Sequence, residues 1–240
     1  MPGAIRLASE AALRSGAALV AVHCHPQNRL MVTNGRPELM LTNEKKGEVI
    51  DTKILSRAKA IVCGPGLGRE QWGQKLFESV ITQNVHLVLD ADALHFLSLP
   101  KYNMCNNHWV LTPHEGEAAK LLGISREEVA QDRYGCVKKI ATQYGGICVL
   151  KGAGSLISDG DTVWVNSSGN AGMASGGMGD VLSGTIAALL MQMPDNYEAT
   201  RLAVYIHGRA ADIIAAKNGQ VGILASDLYS TIQYLLNEEV

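Results

Sequence analysis

At 240 residues with a net charge of −2, the chain fits one large α/β domain, 1–240, better than two small ones. Hydrophobic residues at 47% supply a real core. Aromatics at only 5%, with no run of Lys or Arg, exclude a stacking-based nucleic-acid binder and a membrane-surface partner.

The chain opens on a helical pattern, Ile5 through Leu13, with no strand before it. An α/β domain ordinarily begins with a strand, so a leading segment holding the first strand is expected to be missing. Short apolar runs follow at Ala18 to Val22, Ala60 to Cys63, His86 to Leu89, Trp109 to Leu111 and Ile147 to Leu150. They alternate with helical stretches such as Glu70 to Thr82 and Glu127 to Tyr144, the signature of a parallel sheet covered by helices. Each run is continuous rather than alternating in hydrophobicity and reads as a strand buried on both faces. The mixed-sign segment Glu44, Lys45, Lys46 and Glu48 reads as a solvated loop. A hairpin, Ser155 to Ser158 and Thr162 to Val165, turns at Asp159-Gly160-Asp161. Three helices then complete the chain, at Asp180 to Met191, Tyr197 to Lys217 and Ala225 to Leu236.

No apolar run approaches the roughly 18 residues of a membrane span. Cys24, Cys63, Cys105, Cys136 and Cys148 are scattered without a CxxC pair, which supports neither a zinc site nor a disulfide framework. Cys63 and Cys148 lie in apolar runs and read as core thiols. A reducing, cytoplasmic location is the default.

Four expected strands end directly in unusual loops. Cys63 leads into Gly64-Pro65-Gly66-Leu67-Gly68, and Leu89 into Asp90-Ala91-Asp92. Leu111 leads into Thr112-Pro113-His114-Glu115-Gly116-Glu117, and Leu150 into Lys151-Gly152-Ala153-Gly154-Ser155. Ligands of open parallel sheets bind outside the carboxyl ends of the strands, so these loops form a candidate rim.

The strongest chemical signal lies further on, in Gly169-Asn170-Ala171-Gly172-Met173-Ala174-Ser175-Gly176-Gly177-Met178-Gly179-Asp180. Glycines let backbone N–H groups turn toward an anion, and the helix that follows adds positive dipole character. Asp180, at the helix start, is placed to act as a base toward a hydroxyl. Helix capping alone would explain Asp180 but not the glycine density. The loop is not a Walker A motif, since no Gly-Lys-Ser/Thr follows, and Gly64 to Gly68 lacks the third glycine of a dinucleotide fingerprint.

Other segments are less decisive. Lys151 to Ser155 suits either a nucleotide wrap or a hairpin start. His114 is either a helix N-terminus residue or, at a strand's carboxyl end, a ligand contact, which we favour. Asp90 and Asp92 are either paired acids or magnesium-sphere residues, with Asp92 equally able to cap a helix starting at Ala93. His23, His25, His86, His95, His108 and His207 show no ligand spacing.

Taken together, GPGLG, DADAL, LTPHEGE, KGAGS and GNAGMASGGMGDVLSG resemble the ADP/ATP-dependent NAD(P)H-hydrate dehydratases. These form the carboxy-terminal half of many bifunctional repair enzymes and have a ribokinase-like three-layer α/β/α fold with a mostly parallel central sheet. The opening Met1-Pro2-Gly3-Ala4 resembles the tail of that family's GxxGMxGA segment. The resemblance implies that hydrated nicotinamide cofactor contacts Ala4, Gly66, Gly68, His114 and Asp180. It places the adenine nucleotide, ADP or ATP with Mg2+, on Lys151, Gly152, Ala153, Gly154 and Ser155 and on Asn170 through Gly179. No metal ligand is assigned. It further implies a homo-oligomer, tetrameric in many members, and an NAD(P)H-hydrate epimerase as fused or separate partner. The chain departs from the family at Ala171, a usual Pro, and at Ser175, Met178 and Ser183, usual Thr positions. Glu115, also at a common Pro position, reads as a surface change. A small-molecule kinase of the same fold is the alternative.

Overall fold

The computed structural model describes residues 1–42, 49–102 and 104–238, so the charged segment Glu44 to Glu48 lies outside the described residues. Helix α1 (Pro2–Arg14) comes first, followed by β1 (Val20–Val22), α2 (Arg29–Thr33), β2 (Leu39–Leu41) and α3 (Thr52–Leu55). The alternating section contains β3 (Ala60–Cys63), α4 (Gln71–Ile81), β4 (His86–Leu89), α5 (Asp92–Leu97), β5 (Trp109–Leu111) and α6 (Glu115–Leu122). It continues with α7 (Arg126–Gln131), α8 (Arg133–Tyr144) and β6 (Ile147–Leu150). The hairpin strands β7 (Leu156–Ser158) and β8 (Val163–Val165) lead to α9 (Met178–Leu190), α10 (Asn196–Asn218) and α11 (Leu228–Glu238).

The main sheet has six strands in the order β3-β4-β5-β6-β7-β8. Neighbours from β3 to β6 are parallel, and the last two pairings are antiparallel. Alternate side chains point to opposite faces of a strand. Leu87 and Leu89 therefore join a core formed with α4, α5, α6 and α8, while Val88 between them packs with α9 and α10. Both faces are covered, which is why the runs read as continuously apolar. Leu87, Val88 and Leu89 are each 0% exposed, and full burial of such a side chain contributes about 1.5–3 kcal/mol. The result is the three-layer α/β/α arrangement expected from the sequence.

Two expectations need correction. The run Ala18 to Val22 does not join the main sheet: Val20–Val22 pairs in parallel with Leu39–Leu41 to make a separate two-stranded sheet, and Ala21 is exposed. The stretch Glu127 to Tyr144 is two helices, because Asp132 leaves helical geometry at φ −135°, ψ 66°. Its carboxylate accepts a bond from Gly135 N at 2.8 Å and so starts the second helix.

No helix among the described residues is long and apolar enough to cross a membrane. The parallel sheet brings the carboxyl ends of β3 to β6 to one edge, and there the loops meet the tip of α9.

Candidate active site

The β3 loop needs glycine where it passes the β4 loop. Gly64 has φ 125°, and a Cβ there would run into the Asp90 carbonyl. Close approach of these two loops is thus written into the sequence. Further along, Gly68 N donates to Asp92 Oδ2 at 2.9 Å, and Arg69 pairs with Asp92 Oδ1 at 2.9 Å. Asp92 is the first residue of α5 rather than its cap, and it braces the glycine loop. Met1 N donates to Gly66 O at 2.9 Å, bringing the start of α1, with buried Ala4, against the same loop.

Asp90 turns the other way. Its Oδ1 lies 2.7 Å from Lys151 Nζ and its Oδ2 2.8 Å from Ser183 Oγ. Burial pushes this carboxyl up, but the Lys151 ammonium and the hydroxyls of Ser183 and Thr112 outweigh it and hold it below its usual range. Burial likewise disfavours the Lys151 ammonium, and the carboxylates of Asp90 and Glu117 more than compensate. Asp90 and Asp92 thus face different partners, Lys151 and Ser183 for one and Gly68 and Arg69 for the other.

His114 caps α6. Its Nδ1 accepts bonds from Gly116 N at 3.0 Å and Glu117 N at 3.3 Å, while Glu117 Oε2 accepts from His114 N at 2.9 Å. This reciprocal capping box keeps Nδ1 as acceptor and leaves the proton of the neutral ring on Nε2. The side chain is 60% exposed, so it stands at the rim, available to a ligand as well as to the helix. Glu117 also lies 3.9 Å from Lys151 Nζ, which links the rim to the interior.

The glycine-rich segment divides into two halves. In the first, Gly169 N and Asn170 Nδ2 donate to the Asp212 carboxylate of α10 at 2.8 and 2.9 Å. Gly172 N donates to Asn170 Oδ1 at 3.0 Å, and Met173 N and Ala174 N bond to backbone carbonyls within the loop. Those amides are spent on the loop's own shape. The second half differs. Gly177 is the N-cap of α9, at φ 92°, with no side-chain cap. Met178, Gly179 and Asp180 form the first turn, whose amides have no partner inside the helix. The Met178 side chain is buried in the core formed by α1, α10 and α11, so it takes up none of the open side.

Asp180 is half-buried there. Its carboxyl is pushed up to about 6, by burial first and the Asp90 charge second, against the opposing pull of Lys151 and the Met1 ammonium. Below the loop, burial pulls His207 of α10 down to about 4, so it is neutral and adds no charge to the anion seat. Lys151 to Ser155 forms a turn exposed at Gly152 and Ala153 and tied at both ends. Lys151 N donates to Pro113 O at 2.8 Å, Arg133 Nη1 to Ala153 O at 2.8 Å, and Ser155 Oγ to Gly152 O at 3.0 Å. Glu115 makes surface ion pairs, 3.4 Å from Arg126 and 4.0 Å from Arg133.

The structure thus brings Ala4, Gly66, Lys151, Gly179 and Asp180 to one edge, with His114 at its rim and Gly68 held through Asp92. Sequence reasoning missed the Asp90–Lys151–Ser183 cluster, Asp212 and Arg133. Asp90 carried a signal, as an acid at a strand's end, but Asp212 sits mid-helix without one.

An open helix tip beside an ammonium and a carboxylate, at the carboxyl edge of a parallel sheet, is suited to seat an anion, which sets the class: an α/β protein with an anion seat at its sheet edge. Residues 1–234 match the family model described as NAD(P)H-hydrate dehydratase. The chain is 46% identical over 239 residues to the bifunctional NAD(P)H-hydrate repair enzyme of Escherichia coli, covering 99% of this chain and 46% of that protein. It is 36% identical to the ADP-dependent (S)-NAD(P)H-hydrate dehydratase of Neisseria meningitidis, covering 99% of this chain and 81% of that one. Its fold is similar to the ADP/ATP-dependent NAD(P)H-hydrate dehydratase of Bacillus subtilis co-crystallised with ATP and Mg2+, with TM-score 0.83, 30% identity and coverage of 100% and 85%. The chain belongs to the NAD(P)H-hydrate dehydratase family and has its ribokinase-like fold. It spans about half the length of the bifunctional relatives it matches.

Proposed function

We propose that this chain dehydrates the S epimer of hydrated NADH or NADPH at the expense of ADP or ATP, restoring the reduced cofactor. One observation carries the reading: a half-buried carboxylate with its pKa raised to about 6 stands in the first turn of an uncapped helix, beside the Lys151 ammonium. A base poised near neutrality takes the proton of the substrate hydroxyl as that oxygen bonds to the terminal phosphorus. The open amides at the α9 tip and Lys151 stabilise the charge that develops on the phosphoryl oxygens. The ring nitrogen lone pair then expels phosphate, the adjacent ring carbon loses a proton, and the dihydropyridine double bond is restored. Hydroxide leaves such a ring poorly and phosphate leaves readily, which explains why a kinase-like site serves a dehydration.

Among the described residues no group of three His, Cys, Asp or Glu side chains is arranged to hold a metal. That fits Mg2+ as an ion carried by nucleotide phosphates and water, with the phosphates seated on the amides of Gly176 to Gly179. Bound so, it neutralises phosphate charge. Ala4, Gly66, Gly68 and His114 are the proposed hydrate contacts, and Lys151 to Ser155 the adenine nucleotide wrap. Within the loop, the open half from Ser175 onward makes the phosphate contacts, and Asn170 to Ala174 shape it.

We further infer a single domain, a homo-oligomer and an epimerase as working partner. The exposed Leu19, Leu30, Met31 and Met40 support the oligomer, and relatives named bifunctional at about twice this length support the partner. A cytoplasmic location suits the five free cysteines.

The test mixes the chain with Mg2+, hydrated NADH and either ADP or ATP. Return of the reduced-nicotinamide absorbance together with one phosphate per cofactor is expected. A phosphorylated product that accumulates without that absorbance would make the chain a small-molecule kinase instead.

A further inference from the structure

Asp90 is 2% exposed and its ion pair with Lys151 spans 61 residues of sequence. Buried ion pairs are poor stabilisers, because desolvation cancels most of the attraction, so this one calls for another explanation. Three features of its setting supply it. First, a Cβ on Gly179 would lie 3.2 Å from Lys151 Nζ and 3.7 Å from Asp90 Oδ2, so the pair rests against the first turn of α9. Second, Ser183 Oγ lies 2.8 Å from Asp90 Oδ2 and 2.8 Å from Gly179 O, which anchors the carboxylate to that same helix. Third, Ala91 has φ 47°, and it alone among the described non-glycine residues has a positive φ. That unfavourable backbone sends Asp90 inward to Lys151 while Asp92 faces Gly68 and Arg69. Backbone strain of this kind persists where the surrounding structure enforces it, commonly at active sites.

We propose that Asp90 is a positioning residue of the phosphoryl-transfer step: its carboxylate holds the Lys151 ammonium against the tip of α9, so that cation and first-turn amides face the same phosphoryl group. This rests on the nucleotide-dependent dehydratase reading. Lysine is a point charge on a flexible stem, and here one of its three donors is committed, to Asp90 at 2.7 Å, while the Glu117 carboxylate at 3.9 Å attracts the ammonium without a hydrogen bond. The remaining donors are left for the ligand. A cation fixed beforehand stabilises developing charge without reorganising during the reaction. Its value appears in the transition state, whereas resting nucleotide affinity comes from the many contacts of the wrap and loop. Loss of Asp90 therefore lowers kcat much more than it raises the nucleotide KM.

The experiment compares the wild-type chain with Asp90→Asn, Lys151→Gln and the double variant, measuring kcat and nucleotide KM in the hydrate assay. Each single change is expected to lower kcat on the order of 10²-fold, as for loss of one preset electrostatic group. The nucleotide KM of Asp90→Asn should move only about 3-fold, and the double variant should be no slower than Lys151→Gln. Multiplying losses in the double variant, or an undiminished kcat in Asp90→Asn, would overturn the proposal. If Asp90→Asn alone fails to fold, the double variant, with two neutral amides in place of the pair, is compared with Lys151→Gln. Equal kcat then supports the proposal and a further drop of about tenfold defeats it. A wild-type chain without hydrate turnover would instead sink the dehydratase reading, and this inference with it.

Discussion

Helices α6 and α9 both start at the active edge, and they start in opposite ways. The tip of α6 is closed: His114 and Glu117 satisfy its first amides reciprocally, and what it offers a ligand is a side chain. At α9 the N-cap is a glycine without a side chain, so what it offers is backbone. A capped tip is stable by itself and can hold a ring in one orientation. A glycine-capped tip forgoes only about a few tenths of a kcal/mol of capping and keeps its donors for an anion. On the function proposed above, the same element end yields a rim contact in one place and a charge-stabilising seat in the other.

The largest break in this contrast comes from Asp180. Asp180→Asn is expected to lower kcat by on the order of 10² or more, since the amide cannot accept the hydroxyl proton. In the wild type, kcat/KM should rise with pH through about 6 and level off above it, because the base works only when ionised. Stability moves the opposite way. With its folded pKa raised, Asp180 binds more protons native than unfolded between about pH 4 and 6, so native stability falls as pH rises across that window. The Asn variant escapes that loss and should be the more stable protein at pH 8, by about 1–2 kcal/mol after discounting for partial exposure. Wild-type turnover by the variant, or a Tm difference that does not change between pH 4 and 8, would remove Asp180 from this role.

The open seat itself is tested by two neighbouring glycines. Gly177, at φ 92°, would drive a Cβ into Leu7 of α1, so Gly177→Val should both weaken nucleotide binding and destabilise the fold. Gly176 has no atom within 4 Å of its would-be Cβ and no positive φ. Gly176→Ala should therefore keep the wild-type Tm yet raise the nucleotide KM about tenfold, the cost of crowding a bond to a charged group. A Gly176→Ala protein with unaltered affinity would mean the phosphates sit elsewhere.

Much of this was legible beforehand, and the boundary follows a physical line. Runs such as His86 to Leu89 announced themselves because two covered faces leave no polar position. The glycine segment stood out by density, and strand-end loops pointed to the right edge. What stayed hidden depends on which distant residues the topology brings together. The Gly169–Asp212 bond joins positions 43 apart and the Asp90–Lys151 pair positions 61 apart, and no local pattern encodes either. Likewise the sequence treated Asn170 to Gly179 as one cradle. Its division into a self-bonded half and an open half follows from the Asp212 carboxylate, which reaches in from α10. The separate β1–β2 sheet was missed because the pairing of Val20–Val22 with Leu39–Leu41 is decided by topology and not by any local pattern.

His114 gives the smallest and sharpest comparison, because its two roles are separable by side-chain chemistry. His114→Ala removes the cap and the ring together, and should cost about 1 kcal/mol of stability while raising the hydrate KM more than the nucleotide KM. His114→Asn keeps an oxygen able to accept from the Gly116 and Glu117 amides, so most of that stability should return. The hydrate KM should not return, since Asn lacks the imidazole ring and its Nε2, which lies 3.4 Å from Glu117 Oε1. Recovery of both in the Asn variant would reduce His114 to a helix cap and leave α6 with no ligand contact of its own.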